Sequence, residues 1–217
     1  MSRIILVDDH ALIRTGLRDF LSAYPEHEIV GEASTARDAF PLIEAARPDL
    51  VLMDVELSGM DGVVATREIL RRAPDVRVLM LSGHAGTRDV MDAFAAGAAG
   101  YVLKTQQPTD LIEAMRAIAR GEQYLSAGMA RKLAAAGRST GGRSTDVLAV
   151  LSEREREIFR LASDCRGAAE IARDLCIARK TVDSHLNRIN HKLRLRSLAE
   201  LVRLAAMVGI VHAVRRG

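Results

Sequence analysis

Ile4-Ile-Leu-Val-Asp-Asp-His-Ala-Leu-Ile-Arg-Thr-Gly-Leu-Arg-Asp-Phe-Leu21 opens with four apolar residues in a row, breaks on two carboxylates and resumes with apolar residues at helical spacing. An unbroken apolar run suits a strand buried on both faces, and Ala11 to Leu21 suits a helix laid across it. The same beat recurs outward along the chain: Ile29 to Gly31 then Ala36 to Ala46, and Leu50 to Met53 then Val63 to Arg71. It continues with Val78 to Leu81 then Val90 to Ala96, and Tyr101 to Leu103 then Leu111 to Ala119. Five β-α units of this kind predict a doubly wound α/β fold, a five-stranded parallel sheet covered by helices on both faces with right-handed crossovers. Ligands of such sheets bind outside the carboxyl ends of the strands, which directs attention to the residues that follow each apolar run.

The repeat uses only the first 120 of 217 residues, leaving room for a second, smaller domain. With 48% apolar and 27% charged residues the chain can bury real cores. No apolar run reaches the length of a membrane span, and the carboxylates at Asp8 and Asp9 interrupt what a secretion signal would need. Two cysteines, Cys165 and Cys176, make neither a disulfide scaffold nor a zinc spacing and are best read as small thiols. A cytoplasmic protein without a membrane partner is expected. Charge divides unevenly: residues 1–120 carry 13 basic and 18 acidic side chains, net −5, and residues 121–217 carry 18 and 10, net +8. The basic end is a candidate footprint for nucleic acid, which the acidic end would repel.

Residues 121–150 read as a linker with a short helix, Ala127 to Ala136, followed by Gly137 to Thr145, where apolar residues vanish. Residues 151–217 read as an all-helical domain. Ser152 and Glu155 stand at capping-box spacing, and helices are expected over Ala168 to Leu175, Arg179 to Leu193 and Leu198 to Val208.

In the first domain Asp8 and Asp9 follow the first strand, while Asp54, Ser82 and Lys104 end the third, fourth and fifth. All five converge at one sheet edge. Three carboxylates in one depression repel each other, and a hard divalent cation or a fixed ammonium offsets that well. Magnesium is the natural guest, held by Asp9 and Asp54 with Asp8 acting directly or through water. Asp54 could then attack a phosphoryl donor in line while the cation and Lys104 neutralise the transferred group. Each residue alone has an ordinary explanation as a strand-end turn residue or surface ion pair; their joint placement does not.

Val7-Asp-Asp-His-Ala-Leu-Ile-Arg-Thr-Gly-Leu17, Asp54-Val-Glu-Leu-Ser-Gly-Met-Asp-Gly62, Leu81-Ser-Gly83 and Gly100-Tyr-Val-Leu-Lys104 closely resemble the receiver domain of bacterial two-component response regulators. The resemblance implies a flavodoxin-like sheet over residues 1–120, Asp54 as phosphoacceptor, and Asp8, Asp9, Asp54 and the backbone carbonyl of Glu56 around Mg2+. It further implies Lys104 as the phosphate-binding cation and Ser82 with Tyr101 as a switch pair. One departure is Ser58, where the family usually has proline. A phosphoryl dianion beside Ser82 would draw its loop inward and open space into which the Tyr101 ring turns.

In the second domain Val182, Leu186, Ile189 and Leu193 form one apolar stripe. Arg179, Lys180, Ser184, Asn187, Arg188 and His191 lie on the opposite face and its flanks, a set rich in groups that bond phosphates and base edges. With a helix before it and a tight turn over Cys176 to Ala178, this is the geometry of a helix-turn-helix. Leu151-Ser-Glu-Arg-Glu-Arg-Glu-Ile158, Glu170-Ile-Ala172, Thr181-Val182 with His185, and Lys192-Leu193 resemble the DNA-binding domain of LuxR-type regulators. Together the two domains resemble a NarL/FixJ response regulator. That implies DNA contacts from Arg179, Lys180, Thr181, Asp183, Ser184, His185, Asn187, Arg188 and Lys192. It also implies a homodimer through a helix whose stripe is Leu198, Leu201, Leu204, Ala205 and Val208. That stripe reads equally as the core side of the domain's last helix. Departures concentrate here: Asp183 replaces a lysine, Ala178 a capping serine, and Gly167-Ala-Ala169 stands where Ser-Asn-Lys is common. Weaker or altered DNA recognition follows. Asp183 either reads a cytosine or pairs with a neighbouring arginine.

The expectation is therefore a phosphorylation-controlled transcription regulator rather than an enzyme, with a sensor histidine kinase and promoter DNA as partners. The rivals are a regulator acting through protein contacts and an aspartate-nucleophile phosphatase using Glu56 as general acid.

Overall fold

A computed structural model describes residues 1–84, 86–140, 145–208 and 210. They fall into two compact units, one made of residues 1–85 and 92–120 and the other of residues 86–91 and 121–217.

In the first unit β1 (Ser2–Val7), β2 (His27–Ala33), β3 (Leu50–Asp54), β4 (Arg77–Ser82) and β5 (Gly100–Leu103) are all parallel and lie in the order β2-β1-β3-β4-β5. Each is followed by its helix: α1 (Ala11–Leu21), α2 (Ala36–Ala46), α3 (Gly62–Arg72), α4 (Thr87–Ala95), whose residues 87–91 are grouped with the second unit, and α5 (Pro108–Ala119). The unbroken apolar runs are buried as their composition requires: Ile4, Ile5, Leu6 and Val7 are at most 1% exposed, and Val51, Leu52 and Met53 equally so. The chain runs outward from β1 to β2, then returns to place β3 on the other side of β1. That reversal opens a crevice at the carboxyl ends of β1 and β3, where the first two acidic segments end.

Helix starts are set by local chemistry. Thr35 caps α2 by accepting from the Asp38 amide at 3.2 Å, and Asp61 caps α3 by accepting from Val63 at 2.7 Å. α4 and α5 begin about a turn earlier than their apolar periodicity suggests, because Thr87-Arg-Asp89 and Pro108-Thr-Asp110 are polar first turns that carry no hydrophobic signal. Proline at the first position of α5 loses no hydrogen bond there.

The second unit contains β6 (Tyr124–Leu125), α6 (Ala127–Thr140), a 3-10 helix (Thr145–Val150), α7 (Glu153–Ser163), α8 (Ala168–Asp174), α9 (Arg179–Leu193) and α10 (Leu198–Met207). The strand β6 is a sixth where five were expected; two residues are too short to show alternation. α6 continues through Thr140, beyond the expected end at Ala136, and the 3-10 helix occupies part of the stretch read as linker. Residues 141–144 of that stretch lie outside the described residues. Leu151, Ile158, Phe159, Ile171, Val182, Ile189, Leu201 and Ala205 make the core of α7 to α10. The capping box at α7 is complete: Ser152 Oγ accepts from the Glu155 amide at 3.3 Å and Glu155 Oε2 accepts from the Ser152 amide at 2.8 Å. Among the described residues no helix is long and apolar enough to cross a membrane.

Candidate functional site

The crevice at the strand ends gathers the residues that the sequence places there. Lys104 Nζ lies 2.6 Å from Asp8 Oδ2 and 2.8 Å from Asp54 Oδ2. Both carboxylates are only 1% exposed. Ligand atoms of Asp8, Asp9, His10 and Asp54 all lie within 4.8 Å of one another. The backbone brings them there. Val55 donates to Leu81 O at 2.9 Å and Lys104 donates to Ser82 O at 2.7 Å, so β4 fixes the ends of β3 and β5 on either side of itself. Gly62 closes the loop after Asp54 so tightly that a Cβ there would sit 2.0 Å from the Asp54 carbonyl oxygen.

Charge in the crevice is unevenly balanced. Burial pushes the Asp54 carboxyl above the ordinary range; Asp8 adds to that and Lys104 opposes it. Burial disfavours the Lys104 ammonium, but hydrogen bonds to Asp54 and Asp8 outweigh it and hold the amine more firmly protonated than usual. Asp9, at the rim, is held below the ordinary range chiefly by the Ser58 hydroxyl. Asp54 Oδ2 and Asp9 Oδ1 are buried, and the polar side chains beside them are the Lys104 ammonium and the His10 ring, respectively. Oxygen donors of this kind, clustered and incompletely satisfied, fit a hard divalent cation.

His10 is a member of the crevice that the sequence reading did not include. Its Nδ1 lies 2.7 Å from Asp9 Oδ1, and its amide donates to Asp8 Oδ1 at 2.8 Å. Its position directly after two carboxylates was the available signal. Arg14 adds a bond of 2.6 Å to the Asp8 carbonyl from the first turn of α1.

Ser82 and Tyr101 meet at one backbone group. Ser82 Oγ donates to His84 O at 2.9 Å and accepts from the His84 amide at 3.0 Å. The Tyr101 hydroxyl donates to the same carbonyl at 3.4 Å, and its ring is fully buried. The ring therefore occupies an inward position in this structure. Glu56, considered above as a general acid, has its carboxylate 2.6 Å from His84 Nδ1.

In the second unit, Lys180, Thr181, Ser184, Asn187 and Arg188 are exposed along α9, while Arg179, Asp183 and His185 are half-buried. Asp183 lies 3.8 Å from Arg179, one turn away, which is the arginine pairing anticipated as its alternative role. Glu122, almost fully buried and not foreseen as part of this face, reaches Arg179 at 3.9 Å. Lys192 bonds Glu155 at 2.6 Å, tying α9 to the capping box of α7. The missing serine is felt, because Ala178 gives α9 no side-chain cap. The Leu198 stripe turns inward: Leu201 and Ala205 are buried in the core, with Leu204 and Val208 packed against it, because α10 needs that face to close its own domain. In this conformation the stripe is not a surface open to a second copy. Cys165 and Cys176 are unbridged, and burial pushes the Cys165 thiol up to about 12, far from a reactive thiolate.

Residues 4–116 match the family described as the response regulator receiver domain, and residues 149–205 match the family of bacterial regulatory proteins of the luxR type. The chain is 36% identical over 193 residues to the transcriptional regulatory protein LiaR of Bacillus subtilis (strain 168), covering 89% of this chain and 91% of LiaR. Among solved structures it resembles a LuxR-family two-component response regulator from Aurantimonas sp. SI85-9A1, with 38% identity and a TM-score of 0.61 over 63% of this chain and 97% of that one. It also shares its fold with RcsB from Salmonella enterica serovar Typhimurium, solved on promoter DNA, at 24% identity and a TM-score of 0.58 over 94% of this chain and 98% of that one. A carboxylate crevice matching the receiver and a helix-turn-helix matching the LuxR-type domain stand in one chain, which belongs to the NarL/FixJ-type response regulators, a family of DNA-binding transcription regulators.

Proposed function

We propose that Asp54 accepts a phosphoryl group from a sensor histidine kinase and that this event controls promoter binding by the helical domain. The observation that carries the reading is the Lys104 ammonium held 2.8 Å from Asp54 Oδ2 in a crevice of buried carboxylates. An Asp54 oxygen attacks phosphorus as the bond to the donor's leaving atom breaks, giving an aspartyl phosphate and the released donor. Lys104 neutralises charge on the transferred oxygens, and Asp8 keeps that ammonium in place. Asp8, Asp9, Asp54 and the Glu56 carbonyl would hold Mg2+, whose chemistry is to neutralise the phosphoryl oxygens and orient them for transfer.

Ser82 then exchanges its bond to the His84 carbonyl for one to the new dianion, and the loop carrying His84 moves with it. The domain boundaries that serve this reading are 1–120 for the receiver, 121–150 for the linker and 151–217 for DNA binding. On α9, Lys180, Thr181, Ser184, Asn187 and Arg188 would face DNA, with Arg179, Asp183 and His185 at the edge of the contact. The active form would be a cytoplasmic homodimer; two tethered reading helices gain affinity through effective concentration.

Treating the full chain with a small phosphodonor and Mg2+, while following intact mass and promoter binding together, tests the proposal. Wild type should gain one phosphoryl group and bind promoter more tightly; Asp54→Ala should do neither. A mass gain on Asp54→Ala, or equal DNA binding in both states of wild type, overturns it.

A further inference from the structure

The two oxygens of Asp9 have different surroundings. Oδ2 accepts the Ser58 hydroxyl at 2.6 Å and the Ser58 amide at 3.2 Å. Oδ1 is buried toward His10 and receives no aligned hydrogen bond. One residue on the loop between β3 and α3 thus fills one oxygen of a proposed metal ligand, while the other faces the His10 ring, which is 64% exposed on its side chain and free to give way to a cation. The loop is built to deliver Ser58 there: Leu57 beside it is 8% exposed, Gly59 after it takes φ +83°, and Gly62 donates to Val55 O at 2.9 Å to close the base. Proline, which receivers commonly carry at this position, has neither a hydroxyl nor an amide hydrogen, so neither bond can form where proline stands.

We propose that Ser58 is a metal-specificity residue, restricting Asp9 to one-oxygen coordination and so favouring a small octahedral cation, Mg2+, over Ca2+. The inference rests on the magnesium reading of the crevice given above. Ca2+ takes more ligands at longer distances and often uses both oxygens of a carboxylate, whereas Mg2+ demands near-ideal octahedral geometry and takes one. With both lone pairs of Oδ2 engaged by donors, Asp9 cannot chelate through both oxygens unless one of those bonds breaks. The fixed carboxylate satisfies the smaller ion and leaves the larger one under-coordinated.

The test titrates unphosphorylated full-length protein with MgCl2 and, separately, CaCl2, following amide cross-peaks of the loop by NMR. Wild type is compared with Ser58→Thr, which keeps both donors, Ser58→Ala, which keeps only the amide, and Ser58→Pro, which has neither. The expected result is that the ratio of Ca2+ to Mg2+ dissociation constants is retained in Ser58→Thr, falls roughly threefold in Ser58→Ala and roughly tenfold in Ser58→Pro. Ratios equal to wild type in Ser58→Ala, and in Ser58→Pro where it folds, overturn the proposal. Equal weakening of both ions also overturns it, since a merely structural role would act on the two alike. If wild type responds to neither cation, the magnesium reading itself fails and the Ser58 proposal falls with it; saturable Mg2+ binding with unchanged ratios sinks Ser58 alone. Ser58→Ala keeps the test decisive should Ser58→Pro not fold.

Discussion

Lys104 Nζ and Asp54 Oδ2 meet at 2.8 Å because β3 and β5, at whose ends they stand, flank the same neighbour, β4, and each is tied to it by a backbone bond from the residue just past its end. The ion pair is therefore a product of sheet register. Replacing Lys104 by Met keeps much of the side chain's bulk and removes its charge. Phosphoryl transfer from a small phosphodonor to Asp54 should slow roughly 100-fold, measured as the initial rate of mass gain at saturating Mg2+. A rate within twofold of wild type would mean that Lys104 does not act on the transferred group.

The approach of Gly62 to the Asp54 carbonyl leads to a second expectation. A methyl group cannot share space with a backbone oxygen 2.0 Å away, so Gly62→Ala must displace the loop that carries Ser58 and Asp61. We expect a loss of about 1–3 kcal/mol, read by chemical denaturation. Phosphorylation should slow at the same time, because Asp54 sits at the loop's origin. Neutral stability in this variant would contradict the described packing.

Acid should weaken the helical domain through Glu155. Hydrogen bonds from Lys192 and from the Ser152 backbone hold its carboxyl at about 2, against an ordinary value of 4.5. A folded-state value below the unfolded one contributes stability that is full above 4.5 and is lost as pH falls toward 2. Lys192 is 39% exposed on its side chain, so screening reduces the contribution to about 1–2 kcal/mol. Glu155→Gln should be less stable than wild type at neutral pH by that amount, with the gap closing through the same acid window. A gap independent of pH in thermal unfolding would assign the loss to packing instead.

On α9 the informative substitution is Asp183→Lys. It removes the partner 3.8 Å from Arg179 and adds a cation on the half-buried edge of the face. The salt dependence of DNA binding should steepen by about one counterion, and affinity at low salt should rise roughly tenfold. Fluorescence anisotropy at several salt concentrations reads both. An unchanged slope would place Asp183 outside the phosphate-contact region.

Much of this architecture was legible because its signals are local. Apolar runs such as Ile4 to Val7 have no alternation and therefore announce a two-sided burial, and the rule for strand ends then selects Asp8, Asp54 and Lys104 without further information. Ser152 and Glu155 likewise form the capping box that their spacing suggests. What escaped depends on contacts between distant segments. Nothing adjacent to Glu122 in sequence indicates that it lies near Arg179, and nothing around Ser58 indicates that its hydroxyl points at Asp9. The stripe on α10 was legible as apolar, but periodicity alone does not say whether a helix shows that face to its own core or to a partner; Leu201 and Ala205 show the core.

With Asp54 as the proposed phosphoacceptor, the closed pair of bonds between Ser82 and the backbone of His84 would set a threshold on signalling. The hydroxyl is both donor and acceptor within that small ring, so an anion arriving at Asp54 would have to outcompete an existing partner before anything downstream responded. A phosphoryl group fixed covalently on Asp54 would stand beside Ser82 at high effective concentration and could win that exchange, whereas a stray inorganic phosphate drifting through the mouth would not. If Asp54 is the phosphoacceptor, the serine would then act as a filter that distinguishes a deliberate message from background chemistry.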